Sequence, residues 1–240
     1  MASLSWDDVS DESLRKRLHN TIDNFLYEPQ PSTDMDDLWE QFMVYFDWDV
    51  NEESNPEIVQ QVHEILKPHI WDCLEKKTGK LLDLLIGFRD SRPDTFCDPI
   101  AFTLHYFHDK IVREARWDLW CAYSSLVGGF MEDELDMIQH EDLVLRILIQ
   151  AFEYPHDPTV RAYLVAGAAM CLKELIKPVV IHIATVPEWD LRGLVPGRRS
   201  VTSVDWKYWT SCMYAFSADL SNDPIIRELA ANAARYMWTE

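Results

Sequence analysis

Large apolar side chains recur at intervals of three and four residues along most of this chain of 240 residues. Residues three and four apart share one face of an α-helix, so the spacing gives each helix an apolar face. The clearest such face lies in the segment 200–240 and consists of Trp206, Trp209, Met213 and Phe216. A helix with one apolar face needs other helices to cover it. The spacing therefore predicts an all-α fold, a single irregular bundle of roughly eight to ten helices.

Four Asx-Pro pairs predict where helices begin. An Asx side chain accepts a free backbone N–H of the first turn, and proline loses nothing at the first helical position. The pairs are Asn55-Pro56, Asp98-Pro99, Asp157-Pro158 and Asp223-Pro224. Their unequal spacing argues against a repeated unit.

Further signals predict where helices end. Pro68 is expected to end or kink the helix that begins at Pro56, because proline disrupts a helix interior. Gly128-Gly129 is expected to end the aromatic-rich run that begins at Pro99. Ser203 is expected to cap the helix that carries Trp206.

The remaining stretches complete the expected organisation. Residues 178–186 fit either a helix or a short strand, and 187–199 read as a loop rich in Pro, Gly and Arg. Residues 1–9 are expected to form a flexible arm. The rest of the chain, 10–240, is expected to form a single all-helical domain.

The charge and the cysteines restrict the possible partners. The net charge of −19 argues against nucleic acids and anionic membrane surfaces, and its simplest role is solubility. The five cysteines are dispersed without CxxC spacing, which is typical of reduced thiols in a cytoplasmic protein. The first residues lack signal-peptide character, and the longest apolar runs are too short for membrane insertion.

The end of the chain carries a family resemblance. A Trp-Lys-Tyr-Trp segment at 206–209 is followed by an acidic turn and a helix ending in Ala-Ala-Arg-Tyr-Met at 233–237. This arrangement resembles the end of a fungal (ascomycete) family, the domain of unknown function numbered thirty-six thirty-two. That family closes with an Arg-Trp-x-x-Trp helix and an Ala-Ala-x-x-Met helix. Asp205 stands where the family usually has Arg.

The start of the chain is similar to the same family. Leu38-Trp39-Glu40, followed after a polar turn by Ile58-Val59-Gln60-Gln61-Val62, resembles its opening helices. The resemblance covers most of the chain after about Asp37. It implies an all-helical fold and a fungal source, and it carries over no catalytic residue.

Two histidines are candidates for acid–base chemistry. His105 and His108 are three residues apart and lie beside Asp109, so they share one helical face. Imidazole exchanges protons near neutral pH, and it also binds zinc. No HExxH arrangement or neighbouring cysteine supports a metal site. The alternative interpretation is a pair of core histidines with satisfied hydrogen bonds.

Aromatic side chains suggest a binding pocket. Aromatic residues make up 12% of the chain, and most of them are expected simply to fill the core. The run from Phe102 to Trp120, together with Trp206 and Trp209, is more than a modest helical bundle needs. Such a fold would hold an apolar small molecule between its helices. The candidate lining residues are Phe102, Tyr106, Trp117, Trp120, Trp206 and Trp209. Arg198 and Arg199 could clamp a carboxylate or phosphate, or could simply pair with surface acids.

Two acidic groups allow a third chemistry. Asp36, Asp37 and Glu40 have the same spacing as a second group, Glu132, Asp133 and Asp136. Carboxylates so spaced on a helix can converge on Mg²⁺, as in the aspartate-rich motif of terpenoid cyclases. The alternative is that acids near a helix start simply favour the helix dipole. The second motif of those enzymes is absent, which counts against a standard cyclase.

Three hypotheses follow from these residues. The first is a fungal protein of specialised metabolism that binds an apolar small molecule in an aromatic pocket. It would be a tailoring enzyme of the cyclase or isomerase type without a cofactor, with acid–base help from His105 or His108. The second is a non-enzymatic interaction scaffold, which would bind a protein partner or form a homodimer. The third is a Mg²⁺-dependent diphosphate enzyme built on the two acidic groups.

Overall fold

The fold is all-α, as the helical spacing predicts, with one small sheet. The computed structural model describes residues 11–27, 38, 41, 56–76, 80–91, 93–131, 140–175, 177–186, 188–190 and 200–238. Within these ranges the chain forms ten helices and two strands. The arm expected at 1–9 lies outside the described residues.

The chain divides into two compact units, Met1–Thr103 and Leu104–Glu240, and the division falls within one long helix. This division into two units does not test whether residues 10–240 form a single domain, which stays a prediction. The first unit contains α1 (Asp11–Tyr27), α2 (Pro56–Lys76), α3 (Lys80–Ser91) and the first half of α4 (Pro93–Arg113). Its buried apolar side chains include Leu18, Ile22, Leu66, Ile70 and Leu84.

Hydrogen bonds between side chains join α1 to α2 in the first unit. Asp23 accepts a hydrogen bond from His69 Nδ1 at 3.0 Å, and the other ring nitrogen of His69 lies 2.7 Å from His19 Nδ1. Because His69 donates its Nδ1 proton in the hydrogen bond to Asp23, the Nε2 atom of His69 accepts a hydrogen bond from His19. Tyr27 donates to Asp72 one turn further along both helices.

The second unit contains the rest of α4 and six further helices. They are α5 (Trp117–Phe130), α6 (Asp142–Phe152), α7 (Pro158–Glu174), α8 (Lys177–Thr185), α9 (Ser203–Ala218) and α10 (Pro224–Met237). Helix α7 packs against α5, α6 and α10, and α9 packs against α10. All residues from 143 to 152 of α6 are buried, so this helix lies in the interior of the unit.

Glycine allows α5 and α7 to approach closely. A Cβ atom on Gly128 would lie 2.4 Å from the backbone oxygen of Cys171, and one on Gly167 would lie 2.3 Å from the Trp120 ring. No side chain fits at such distances. Gly128 and Gly129 lie in the last turn of α5, which ends at Phe130, next to the glycine pair that was expected to end the run.

The aromatic-rich run is also interrupted before Gly128, at a place that the sequence did not predict. Helix α4 ends at Arg113, and α5 begins at Trp117 after a short turn. Ala115 in that turn has φ 52°, in the left-handed region that residues with a Cβ rarely adopt. An alanine gives no turn signal in the sequence, which explains why the prediction missed the break.

The helix start predicted at Pro99 is wrong, because Pro99 lies inside α4, which begins at Pro93. Pro68 does not end α2 but lies inside it, and the alternative of a kink there stays a prediction. An interior proline costs a helix about 3 kcal/mol, but buried apolar side chains on both sides can offset that cost. Ile65 and Ile70 flank Pro68 and are buried, so packing holds the helix together across the proline.

The other Asx-Pro starts are confirmed at Pro56, Pro158 and Pro224. Asp157 and Asp223 each accept hydrogen bonds from two backbone N–H groups of the following turn. At α9 the cap is Thr202 and not Ser203. Asp205 accepts hydrogen bonds from the backbone N–H and the hydroxyl of Thr202, at 2.8 and 2.9 Å.

The ambiguous stretch 178–186 is helical, since α8 covers Lys177–Thr185. Strand β1 (Glu188–Asp190) follows it and pairs antiparallel with β2 (Ser200–Thr202), with Trp189 opposite Val201. Trp189 donates its indole N–H to Ile183 at 3.1 Å, which fixes the strand against the end of α8. The sequence did not predict this sheet. Among the described helices, none is both long enough and apolar enough to cross a lipid bilayer.

Candidate functional site

A groove of about 480 Å³ lies in the second unit, between α9, the end of α10 and α8. Its volume is in the range of roughly 300–1,000 Å³ that is usual for small-molecule sites. Helix α9 contributes Ser203, Trp206, Lys207, Thr210, Ser211 and Tyr214. The other described lining residues are Ala184 of α8 and the adjacent Met237 and Trp238.

The spacing along α9 places these side chains on one face. Two series run along this face, residues 203, 207 and 211 and residues 206, 210 and 214. Within each series the residues are four positions apart, which makes them neighbours on a helix surface. Trp206 is buried, and its indole N–H donates to the Met237 carbonyl at 3.1 Å. This hydrogen bond ties α9 to the end of α10, so both walls of the groove are held in place.

The end of α10 is fixed by a lysine from α8. Lys177 donates from its ammonium to the carbonyls of Tyr236 and Trp238, and it lies 5.0 Å from the Tyr236 ring centre. A cation is favourable at a helix C-terminus because the last carbonyls carry partial negative charge. Trp238 is 58% exposed, and its backbone is held by this contact, so its ring forms an outer wall of the groove.

Two of the hydroxyl groups of the groove are already engaged as donors. Thr210 donates to the Trp206 carbonyl and Ser211 to the Lys207 carbonyl, each at 2.9 Å and four residues back along the helix. Their oxygens keep lone pairs that can accept a hydrogen bond. The groove thus combines apolar walls with a few polar atoms and one ammonium group, that of Lys207.

The predicted histidines lie in a separate cluster of charged groups in the same unit. His105 Nε2 lies 3.0 Å from Asp142 Oδ2 of α6. His108 donates from Nδ1 to Asp109 Oδ1 at 3.0 Å, and Arg146 donates to the same oxygen at 3.1 Å. Asp109 therefore bridges a histidine and an arginine.

Burial and hydrogen bonds shift the pKa values of the side chains in this cluster. Burial lowers the pKa of His108, which is 7% exposed and packs near the rings of Trp120 and Tyr123. The hydrogen bond from His108 lowers the pKa of Asp109. Burial pushes the pKa of Asp142 upward, but the hydrogen bond and positive charge of His105 outweigh it and lower that pKa.

Several nitrogens in the cluster make no hydrogen bond to a described residue. They are His105 Nδ1, His108 Nε2 and Arg146 Nε. A buried polar atom without a partner costs stability, so its retention marks a place where chemistry or an additional group can be accommodated. The predicted acid–base role of His105 and His108 fits this environment and stays a prediction.

Glu141 is a buried acid that the sequence interpretation missed. It is 1% exposed, and neither carboxyl oxygen makes a hydrogen bond to a described residue. His182 Nε2 approaches Oε1 to 3.2 Å, without the alignment of a hydrogen bond. Burial, helped by the charge of Asp142, raises the pKa of Glu141 to about 8.

One feature of the sequence could have indicated this burial. The residues after Glu141-Asp142, LVLRILIQAF, are apolar except for one Arg and one Gln, and a helix with so few polar residues is expected to lie in the core. An acid at the N-cap of that helix is then carried into the interior.

The aromatic candidates pack in several pairs, and a pocket shared by all of them stays a prediction. Trp117 packs edge-on against Trp120 and His156, Tyr106 against Phe107, and Trp206 against Trp209. In the first unit, Phe102 is 44% exposed and packs edge-on against His63. Trp209 donates to Glu153 at 3.0 Å. Of the residues predicted to bind a ligand, Trp206 lines the groove.

The remaining candidates lie outside the described residues. These are Arg198 and Arg199, and the two acidic groups Asp36, Asp37, Glu40 and Glu132, Asp133, Asp136. Within the described ranges, no three His, Cys, Asp or Glu side chains are grouped so that they could hold a metal ion. The Mg²⁺ hypothesis stays a prediction.

Comparison of the chain with known protein families, with curated proteins and with solved structures finds no match. The resemblance to the fungal family of unknown function therefore stays a prediction.

Proposed function

We propose that this protein binds a small apolar molecule in the groove formed by α9, α10 and α8. The proposal is carried by one observation: a space of about 480 Å³ bounded by Trp206, Tyr214, Met237 and Trp238. Aromatic and thioether side chains offer a large contact area to an apolar ligand. The few hydroxyl groups would orient the ligand, as polar groups do in small-molecule sites.

The proposal concerns binding and does not depend on turnover. His105 and His108 are not among the residues that line the groove. A cyclase or isomerase activity would need these histidines, or other acid–base groups, to reach the bound molecule. Binding in the groove and catalysis by the histidines are therefore separate hypotheses that need separate tests.

Binding can be tested with N-phenyl-1-naphthylamine, an uncharged probe whose fluorescence rises in apolar surroundings. We expect saturable binding to the purified protein. A Ser211→Trp variant should weaken it about tenfold or more, because the added ring would fill the groove near the apolar walls. Ser211 is exposed, so the substitution does not disturb the core.

The matched control is Ile225→Trp, which adds the same ring at an exposed position near the start of α10, while the groove borders the other end of that helix. This variant should bind the probe as the unaltered protein does. If the unaltered protein does not bind the probe, or if both variants bind it equally well, the groove is not the binding site. Absence of binding would favour the scaffold hypothesis.

A further inference from the structure

We propose that the groove selects apolar molecules that carry one anionic group, with the ammonium of Lys207 as the partner of that group. This inference rests on the proposed function, because it names the class of ligand for the same groove. A carboxylate and a sulfonate share the required chemistry, namely a compact negative charge attached to an apolar body.

The charge of the groove is opposite to that of the chain. The whole protein has 41 acidic and 22 basic residues, so a surface region chosen at random is more often negative than positive. Among the nine described residues that line the groove, the one charged side chain is Lys207. An anion that reaches this groove therefore meets a local positive charge on a negative protein.

Lys207 is available to such a ligand. Its ammonium forms no ion pair with a described residue. Asp205, the nearest acid in the sequence, is two positions away and therefore does not share its helical face. The carboxylate of Asp205 is also engaged by Thr202 at the helix cap.

The position of Lys207 fits a ligand with two distinct ends. Its neighbours on the same face are Ser203 and Ser211, one turn before and one turn after it, while Trp206 and Met237 form the buried part of the groove. The alkyl stem of a lysine can lie along apolar surface while its ammonium stays at the edge. An apolar body would lie against Trp206, and the anionic group would lie at the mouth beside Lys207 and the Ser211 hydroxyl.

Two probes with the same skeleton can test the selectivity. 1-Anilinonaphthalene-8-sulfonate has the rings of N-phenyl-1-naphthylamine and adds one sulfonate. We expect the anionic probe to bind roughly two- to fivefold more tightly at low salt, as one exposed ion pair allows. The difference should shrink at high salt because screening weakens the ion pair.

Variants assign the effect to Lys207. Lys207→Gln should remove the preference for the anionic probe, measured as the ratio of the two dissociation constants, and Lys207→Glu should reverse it. Lys173→Gln is the matched control, since Lys173 is 72% exposed and does not line the groove. It changes the net charge equally and should keep the preference. Melting temperatures of all variants should match, which excludes binding of the probes to unfolded protein.

The outcomes separate the two proposals. If neither probe binds, the proposed function fails. If the uncharged probe binds and the anionic probe binds no more tightly, the groove is a binding site and the inference about anions is overturned. If the anionic preference survives Lys207→Gln, the role of Lys207 is overturned.

Discussion

At the scale of single residues, Glu141 is an acidic side chain that the fold buries, although an ionised carboxylate is more stable in water. An ionised carboxylate without hydrogen bonds is costly in an apolar interior, so Glu141 takes up a proton instead. A carboxyl group that is protonated near neutral pH can donate a hydrogen bond or release a proton. His182, 3.2 Å away and 32% exposed, connects this acid to the surface.

The variant Glu141→Gln tests this assignment. The unfolded chain releases the proton near the ordinary pKa of 4.5, and the folded protein holds it up to about 8. Between these values the folded state binds more protons at this site, so the contribution of Glu141 to stability falls as pH rises, and Gln removes that fall. We expect Gln to be nearly neutral at pH 4.5 and to stabilise by about 2–4 kcal/mol at pH 8.

Urea unfolding at several pH values measures this difference. The control is Glu114→Gln at an exposed position in the turn after α4, which should show no such trend. A stability difference for Glu141→Gln that stays constant from pH 4.5 to 8 would show that Glu141 ionises normally.

The sequence identified the histidines of the charged cluster but not their partners. His105 and His108 share a face of α4 as their spacing predicts, and Asp109 is adjacent in the sequence. Asp142 and Arg146 belong to α6, more than thirty positions further along the chain. Contacts of that kind depend on how the helices pack, and helical periodicity carries no information about it.

At the scale of helices and strands, signals that depend on local chemistry predicted the structure well. An Asx cap acts within one turn, and the starts at Pro158 and Pro224 are where the sequence placed them. Sequence signals whose effect competes with packing predicted the helix boundaries less well. Pro68 and Pro99 both lie inside helices, and buried apolar side chains on either side of Pro68 offset its local preference. The sheet of two three-residue strands is too short to give a recognisable alternating pattern.

The contact between α5 and α7 leads to a prediction about Gly128→Ala. The added methyl group would meet the Cys171 carbonyl, which belongs to a backbone that cannot move aside alone. Overpacking of this kind costs about 1–3 kcal/mol, and the better helix propensity of alanine returns at most about 1 kcal/mol. We expect a net loss of stability, measured as a lower melting temperature.

Gly167→Ala provides a second variant for the same contact. Its methyl group would meet the Trp120 ring, which is completely buried and donates to the Leu164 carbonyl at 3.3 Å. It should also lower the melting temperature. An unchanged melting temperature in both variants would mean that the two helices can separate without cost.

At the scale of the whole molecule, buried ionisable groups set the response to pH. Burial lowers the pKa of His19, His63, His69 and His108 below the usual 6.5. As pH falls below 6.5, the unfolded chain binds protons at these histidines that the folded protein does not bind. The free energy of unfolding therefore decreases. Glu141 acts in the opposite direction, because its contribution is lost as pH rises from 4.5 to about 8.

Together these groups predict a maximum of stability above pH 6.5 and below about pH 8. Toward lower pH the four histidines outweigh one glutamate, and toward higher pH the loss from Glu141 dominates until Cys171 and Tyr123 begin to matter. Burial raises the pKa of both of these groups, so they lower stability at strongly alkaline pH. Melting temperatures from pH 5 to 9 test the prediction. A maximum below pH 5.5 would contradict it.

The enclosure of α6 has a consequence for how this protein can be observed. The amide protons of residues 143–152 lie where every side chain is covered, so fluctuations at the surface do not bring water to them. Deuterium would enter these positions when the surrounding unit opens as a whole. The exchange rate along this one segment thus measures the free energy of that opening.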